Sequence, residues 1–229
     1  VFRVVNVRSV DTDDLTTRAR IRDAAIGRFG RDGFRAGLRA VAADAGVSPA
    51  LVIHHFGSKD GLRAECDAYV LRTIRDQKAE AMTRWSPMQV VGAIDDPEQY
   101  ATIFGYVVRA LLEGGAVAAT FVDGLVADAE SYLEEAVVSG TVRPTTDPAG
   151  RARYLIATSV GMLLIAQLEA EAGRGVSPTV DPARALQEIW RTTLLPGLEM
   201  MTYGLLTSSD LLDEYRAATD PRAARSAPP

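Results

Sequence analysis

Residues 16–62 read TTRARIRDAAIGRFGRDGFRAGLRAVAADAGVSPALVIHHFGSKDGL, and the placing of apolar residues and helix breakers in this stretch decides the fold. Ile21, Ala25 and Phe29 recur at helical spacing with Arg18, Arg22 and Arg28 off that stripe, which predicts a first helix with one apolar face. Gly33 ends it, and Phe34 can pack back. Leu38, Val41, Ala42 and Ala45 supply the apolar positions of a short second helix starting near Gly37, and Gly46 gives the turn. Ser48-Pro49 is a capping serine followed by proline at the first helical position, opening a third helix that stops before Gly57. Ser58 caps a long fourth helix that begins with Lys59 and extends to near Trp85. Two short helices joined by a tight glycine-containing turn make a helix-turn-helix.

Downstream, helix starts are marked by Asp-Pro pairs, in which Asp caps free N–H groups and Pro takes the first helical position: Asp96-Pro97, Asp147-Pro148 and Asp181-Pro182. Gln99 stands at the capping-box position after Asp96, so a helix is expected from Pro97 to Glu113, broken by Gly114-Gly115. A second runs towards Ser139, before Gly140 and Pro144, and the Asp147 helix runs to Glu171, before Gly173-Arg174-Gly175. The run Tyr154 to Leu168 is nearly apolar but contains Thr158, Ser159 and Gln167, falls short of a membrane span, and reads as a buried core helix. After Pro182, Leu186, Ile189, Trp190, Thr193 and Leu194 form an amphipathic stripe that Pro196-Gly197 must kink or end. Apolar positions resume at Leu198, Met201, Leu205 and Leu206, and a short helix is expected near Asp210 to Ala218. No stretch alternates like a strand. The expected fold class is all-α, with a flexible arm (1–14), a three-helix DNA-reading domain (15–62), a helical body (63–219) and a disordered tail (220–229).

A 229-residue chain that is 47% hydrophobic can bury a substantial core, which excludes wholesale disorder. The single cysteine, Cys66, allows no intrachain disulfide and no cysteine-based zinc site, and suits a reducing compartment. The first ten residues lack the apolar stretch of a secretory leader, so a cytoplasmic location is expected. The net charge of −5 is unevenly divided: Leu15–Glu65 holds nine Lys/Arg against five Asp/Glu, whereas Cys66–Pro229 holds 14 against 22. A positive foot under an acidic body suits contact with phosphates at one end only. No glycine-rich phosphate loop, Gly-x-Ser-x-Gly elbow or His-Glu-x-x-His pair occurs, so no catalytic residues, and no enzyme, are expected. His54 and His55 are adjacent and face different ways on a helix, so with Cys66 they offer no metal site, and no cofactor is expected.

Ile21-Arg22-Asp23-Ala24-Ala25, Phe29, Gly33-Phe34, Ala45-Gly46-Val47-Ser48-Pro49 and His55-Phe56-Gly57-Ser58-Lys59, in this order, resemble the N-terminal signature of TetR-family bacterial transcriptional regulators. The resemblance implies that the third helix enters the major groove of operator DNA and that the starts of helices one, two and four touch phosphates. It also implies that the C-terminal helices bind a small-molecule effector and form a homodimer. Position by position, it assigns Ser48, Pro49, Ala50, Leu51 and His54 to the groove-facing surface, and Val47, Val52 and Phe56 to the core. Thr17, Arg18, Gly37, Arg39, His55 and Lys59 become phosphate candidates, against the plainer readings of a packed or capping His55 and a solvated Lys59. This chain departs from the family at Leu51, where a Thr is usual, and at Ile53, where a phosphate-binding Tyr is usual. Base reading is then left to apolar contact of Ala50 and Leu51 with thymine methyls and to DNA shape. The alternative is a TetR-like protein with weakened DNA binding that acts through protein contacts.

In the body, Trp85, Tyr106, Phe121 and Met162 are pocket candidates, although apolar and aromatic residues at helical spacing more often belong to a core. Arg109, Ser159 and Gln167 are polar residues among apolar neighbours, and a buried polar group needs a partner, either a pocket ligand, a water or, for Arg109, Glu113 one turn on. Leu186, Ile189, Trp190, Leu194, Leu198 and Met201 are the expected dimer interface. The effector that fits such a body is apolar or amphipathic.

Overall fold

The computed structural model describes residues 7–83 and 97–219. Every regular element among them is a helix: α1 (Val7–Asp32), α2 (Leu38–Ala45), α3 (Pro49–Phe56), α4 (Lys59–Thr83), α5 (Glu98–Glu113), α6 (Gly115–Val138), α7 (Pro148–Glu171), α8 (Pro182–Tyr203) and α9 (Asp210–Thr219). The caps behave as their sequences predict. Asp147 accepts a hydrogen bond from the Gly150 N–H at 2.8 Å, and Asp181 accepts one from the Arg184 N–H at 3.1 Å. The Asp96 cap, the Gln99 side chain, Trp85 and the tail from Asp220 lie outside the described residues.

One element differs from the sequence reading: α1 begins at Val7, inside the stretch expected to be a flexible arm. Of the two outcomes expected at Pro196, a kink or an end, the end does not occur, since α8 continues to Tyr203; proline costs a helix one internal hydrogen bond and does not forbid it.

The chain divides into two compact units, Val1–Ile189 and Trp190–Pro229. The core of the first unit joins the reader to the body. Ile21, Phe29, Val41, Val52 and Leu62 of the reader are wholly buried in one cluster with Tyr106, Ala110 and Phe121 of the body. α5 packs along α1, and Phe34 sits between Phe29 and Tyr106 with ring centroids 5.2 Å away on each side. Burying such side chains contributes about 1.5–3 kcal/mol each, enough to fuse reader and body. The close approach depends on glycine: a Cβ on Gly30 would lie 3.1 Å from the Tyr106 nitrogen, and one on Gly105 would lie 3.1 Å from Pro182. α6 packs on both α4 and α7, reaching α4 where Gly124 leaves room for Leu71.

α7 is not the buried core helix its composition suggests. Ala152 is its one buried residue, while Tyr154, Leu164, Ile165 and Leu168 are all about half exposed or more. Ile156 and Leu163 pack against the core and the opposite face is left open. By length and composition alone α7 is apolar enough to cross a membrane. In the second unit, Leu195, Met201, Tyr203, Leu205, Leu206, Leu211 and Tyr215 are exposed.

Candidate nucleic-acid interface

The turn between α2 and α3 is built from one glycine and one serine. Gly46 takes a left-handed conformation (φ 65°) that a side chain would strain, and its N–H closes α2 on the Ala43 carbonyl at 3.1 Å. Ser48 caps α3 by accepting from the Leu51 N–H at 3.2 Å, and Pro49 occupies the first turn. Val52 and Phe56 are buried, which turns Ser48, Pro49, Ala50, Ile53 and His54 outward and leaves Leu51 half-buried. Val47 is partly buried against the same core.

Around α3 the other expected contacts divide. Arg39 and Gly37, at the start of α2, are exposed, and Lys59 at the start of α4 is half-buried. Among the described residues neither Arg39 nor Lys59 has a carboxylate partner, so both are chemically available to phosphate. Thr17 is half-buried on α1. Arg18 is engaged within the protein: it donates to the His55 carbonyl, pairs with Glu65 at 2.6 Å and lies 4.6 Å over the Phe56 ring. His55 is half-buried and His54 exposed. Arg35, in the loop just ahead of α2, is exposed and also without a carboxylate partner among the described residues. Arg35 was missed from sequence; its signal is a cation beside a helix start.

The reader is braced by ion pairs. Arg28 bridges Asp32 and Asp44, tying α1 to α2, and these bonds hold the Asp44 carboxyl below the usual range. Cys66 is buried beneath α1, and burial pushes its thiol up to about 12, so it stays protonated and unreactive at neutral pH. No cluster of metal-ligating side chains occurs among the described residues.

In the body, a groove of about 350 Å³ lies between α6 and α7, lined by Val122, Val126, Arg153, Ile156, Ala157, Val160 and Gly161. None of the pocket candidates within the described residues lines it. Tyr106 is wholly buried and donates to Asp67 at 2.6 Å; Phe121 is core. Burial raises the Asp67 carboxyl above its usual range, against the opposing effects of the Tyr106 hydrogen bond and the Arg63 charge. Arg109 donates to backbone carbonyls, and Glu113 pairs with Arg63 at 2.7 Å instead. Ser159 is exposed and donates to the Leu155 carbonyl, Met162 is half-buried, and Gln167 bonds Ser177 and Glu171. Leu186 is buried in its own unit; Ile189, Trp190, Leu194 and Leu198 are half-buried and Met201 is exposed.

Comparison with known proteins agrees with this geometry. Residues 21–66 match the family model for bacterial regulatory proteins of the tetR family, and residues 98–207 match the tetracyclin repressor-like C-terminal domain. The chain is 44% identical over 205 residues to the HTH-type transcriptional regulatory protein RaaS of Mycobacterium tuberculosis, covering 89% of this chain and 93% of that protein. Among solved structures it resembles a TetR-family transcriptional regulator from Rhodococcus sp. (TM-score 0.56, 20% identity, 81% of this chain and 97% of the other). It also resembles a protein from work on the control of antibiotic production by bacterial hormones (TM-score 0.52, 23% identity, 83% and 97%). With the capped α3 matched by one model, most of the body by the other, and a relative aligned along nearly its whole length, the chain belongs to the TetR family of transcriptional regulators.

Proposed function

We propose that this regulator is a cytoplasmic homodimeric repressor whose α3 reads the major groove of operator DNA and which an apolar or amphipathic molecule releases. The observation that carries the DNA reading is the outward set Ser48, Pro49, Ala50 and His54 on a helix whose Val52 and Phe56 are buried. Arg35, Arg39 and Lys59, with the α2 N–H groups that no turn of helix precedes, supply the phosphate contacts. The exposed apolar face of α7 is read as a dimer contact, not a membrane span, because a monomer surface rarely leaves such a face bare. A second contact comes from the exposed residues of the second unit, so the interface extends beyond the stripe after Pro182 that the sequence singled out.

A dimer must hold its two readers roughly 34 Å apart, one turn of B-DNA. An apolar molecule in the α6–α7 groove acts on α6, which packs on α4, and α4 begins at the DNA foot. A coupling of about 1–3 kcal/mol would lower operator affinity roughly 5- to 150-fold, and operator would weaken effector binding equally. The test is a fluorescence-anisotropy titration of the purified chain against a duplex from its own upstream region, beside a scrambled duplex. Saturable binding with preference for the upstream duplex is expected; equal weak binding to both would defeat the reading. Ile53, exposed where the family carries a phosphate-binding Tyr, favours the second reading, a TetR-like protein with weakened DNA affinity that acts through protein contacts.

A further inference from the structure

Arg109 and Gln167, two of the polar residues set among apolar neighbours, both engage the loop between α7 and α8. α1 ends at Asp32, and the carbonyls of Gly30 and Arg31 in its last turn have no following helical N–H to accept. Arg109 of α5 fills that need, donating from Nη2 to the Arg31 carbonyl at 2.9 Å and from Nε to the Gly30 carbonyl at 3.4 Å. Its charge also meets the negative end of the α1 dipole. The same Nη2 reaches the Thr179 carbonyl in the loop at 3.3 Å. That loop is itself held: Pro178 is buried, Ser177 Oγ accepts from the Thr179 N–H at 3.3 Å, and Ser177 donates to Gln167 Oε1 at 3.2 Å. Gln167 is fixed in turn by its own donation to Glu171 at 2.8 Å on α7.

We propose that this unbroken series, Gln167 of α7 to Ser177 and Thr179 to Arg109 of α5 to the end of α1, sets the angle of the DNA reader on the body. Arg109 is a positioning residue for DNA recognition, and Gln167 is its anchor on α7. Only a guanidinium does this work, because its planar fork donates in several fixed directions at once, whereas a lysine ammonium is a single point charge. α7 also forms one wall of the groove, through Ile156, Ala157, Val160 and Gly161, so occupation of the groove has a second route to the reader besides α4. That last step rests on the effector reading; the joint itself does not.

The test uses full-length protein and the upstream duplex, with Arg109→Lys, Gln167→Leu and the double variant. Each single change is expected to weaken DNA binding about tenfold, within the span of ordinary intersite coupling. The double variant should bind no more weakly than the worse single, since both break one series. Wild-type affinity in Gln167→Leu, or independent multiplying effects in the double variant, would overturn the proposal. Should the wild type bind no DNA, the repressor reading fails but the joint is still measured by hydrogen exchange. Gln167→Leu should speed exchange of the amides at residues 33–36, remote from the substitution, and unchanged rates there would overturn it.

Discussion

The Arg18 guanidinium donates to the carbonyl oxygen of His55, joining the DNA reader's first helix to the last turn of its recognition helix. Glu65 of α4 receives the same guanidinium at 2.6 Å, so one side chain links three helices of the reader. This recasts a residue that resemblance assigns to phosphate. A strut and a phosphate ligand leave different marks: losing a phosphate contact reduces the slope of log affinity against log salt by about 0.9, whereas losing a strut lowers affinity and leaves the slope alone. Arg18→Gln is therefore expected to weaken binding to every sequence with an unchanged salt slope. A shallower slope, measured by titrations at several salt concentrations, would restore the phosphate role.

Ile53 is 44% exposed on the recognition helix, at the position where the family carries a phosphate-binding Tyr. Ile53→Tyr adds one hydroxyl donor towards the backbone and removes an exposed apolar side chain, so affinity should rise about two- to tenfold on all sequences, as expected for one net hydrogen bond of roughly 0.5–1.5 kcal/mol. Leu51→Ala has the opposite signature, relaxing preference at a subset of base pairs because an apolar contact with a thymine methyl is lost. Parallel titrations against a panel of single-base variants separate the two. A loss of affinity in Ile53→Tyr would mean that Ile53 itself packs on the DNA.

The reader was legible because its signals are local: Ser48 caps the helix it opens, Gly46 makes the turn it predicts, and Val52 and Phe56 fall inward by spacing alone. The body was legible in its helices but not in its surfaces. The exposure of α7 was not legible because apolar composition says that a helix has a face to cover and not what covers it. Arg109 was weighed against Glu113, its neighbour in sequence, but its partners are carbonyls on α1, which only the α1–α5 crossing brings near. Tyr106 was illegible as part of the reader's core for the same reason, since it joins that core from far along the chain.

Asp67 sits beside the buried Tyr106 hydroxyl with Arg63 3.8 Å away, and burial outweighs both in raising its carboxyl above the usual range. A raised folded-state value means that the folded protein takes up this proton before the unfolded one as pH falls. The site's contribution to stability therefore increases on acidification, and levels off below the unfolded value of about 3.9. Asp67→Asn resembles the protonated form and can still accept from Tyr106. It is expected to raise the unfolding midpoint at pH 7 and to shrink the gain that wild type shows as pH falls from 7 towards the unfolded value. A lower midpoint at pH 7, measured by thermal unfolding, would mean that the pair with Arg63 outweighs burial.

Ile165 is 58% exposed on the open face of α7, near Leu164 and Leu168, which are about half exposed. In a monomer that face meets water, so a charge there costs little; in a dimer the same charge is buried without a partner, at a cost of several kcal/mol for two copies about a two-fold axis. Ile165→Glu is thus expected to fold with unchanged helical content and to run as a monomer in light scattering at micromolar concentration, where wild type is expected to run as a dimer. The consequence for DNA follows from valency. A single reader engages one half-site and forfeits the gain from effective concentration, so binding to the upstream duplex should drop by about 100-fold or more. Binding to a duplex carrying one half-site should change little. A dimeric Ile165→Glu with wild-type DNA affinity would remove α7 from the interface, leaving the exposed residues after Trp190 to form it alone.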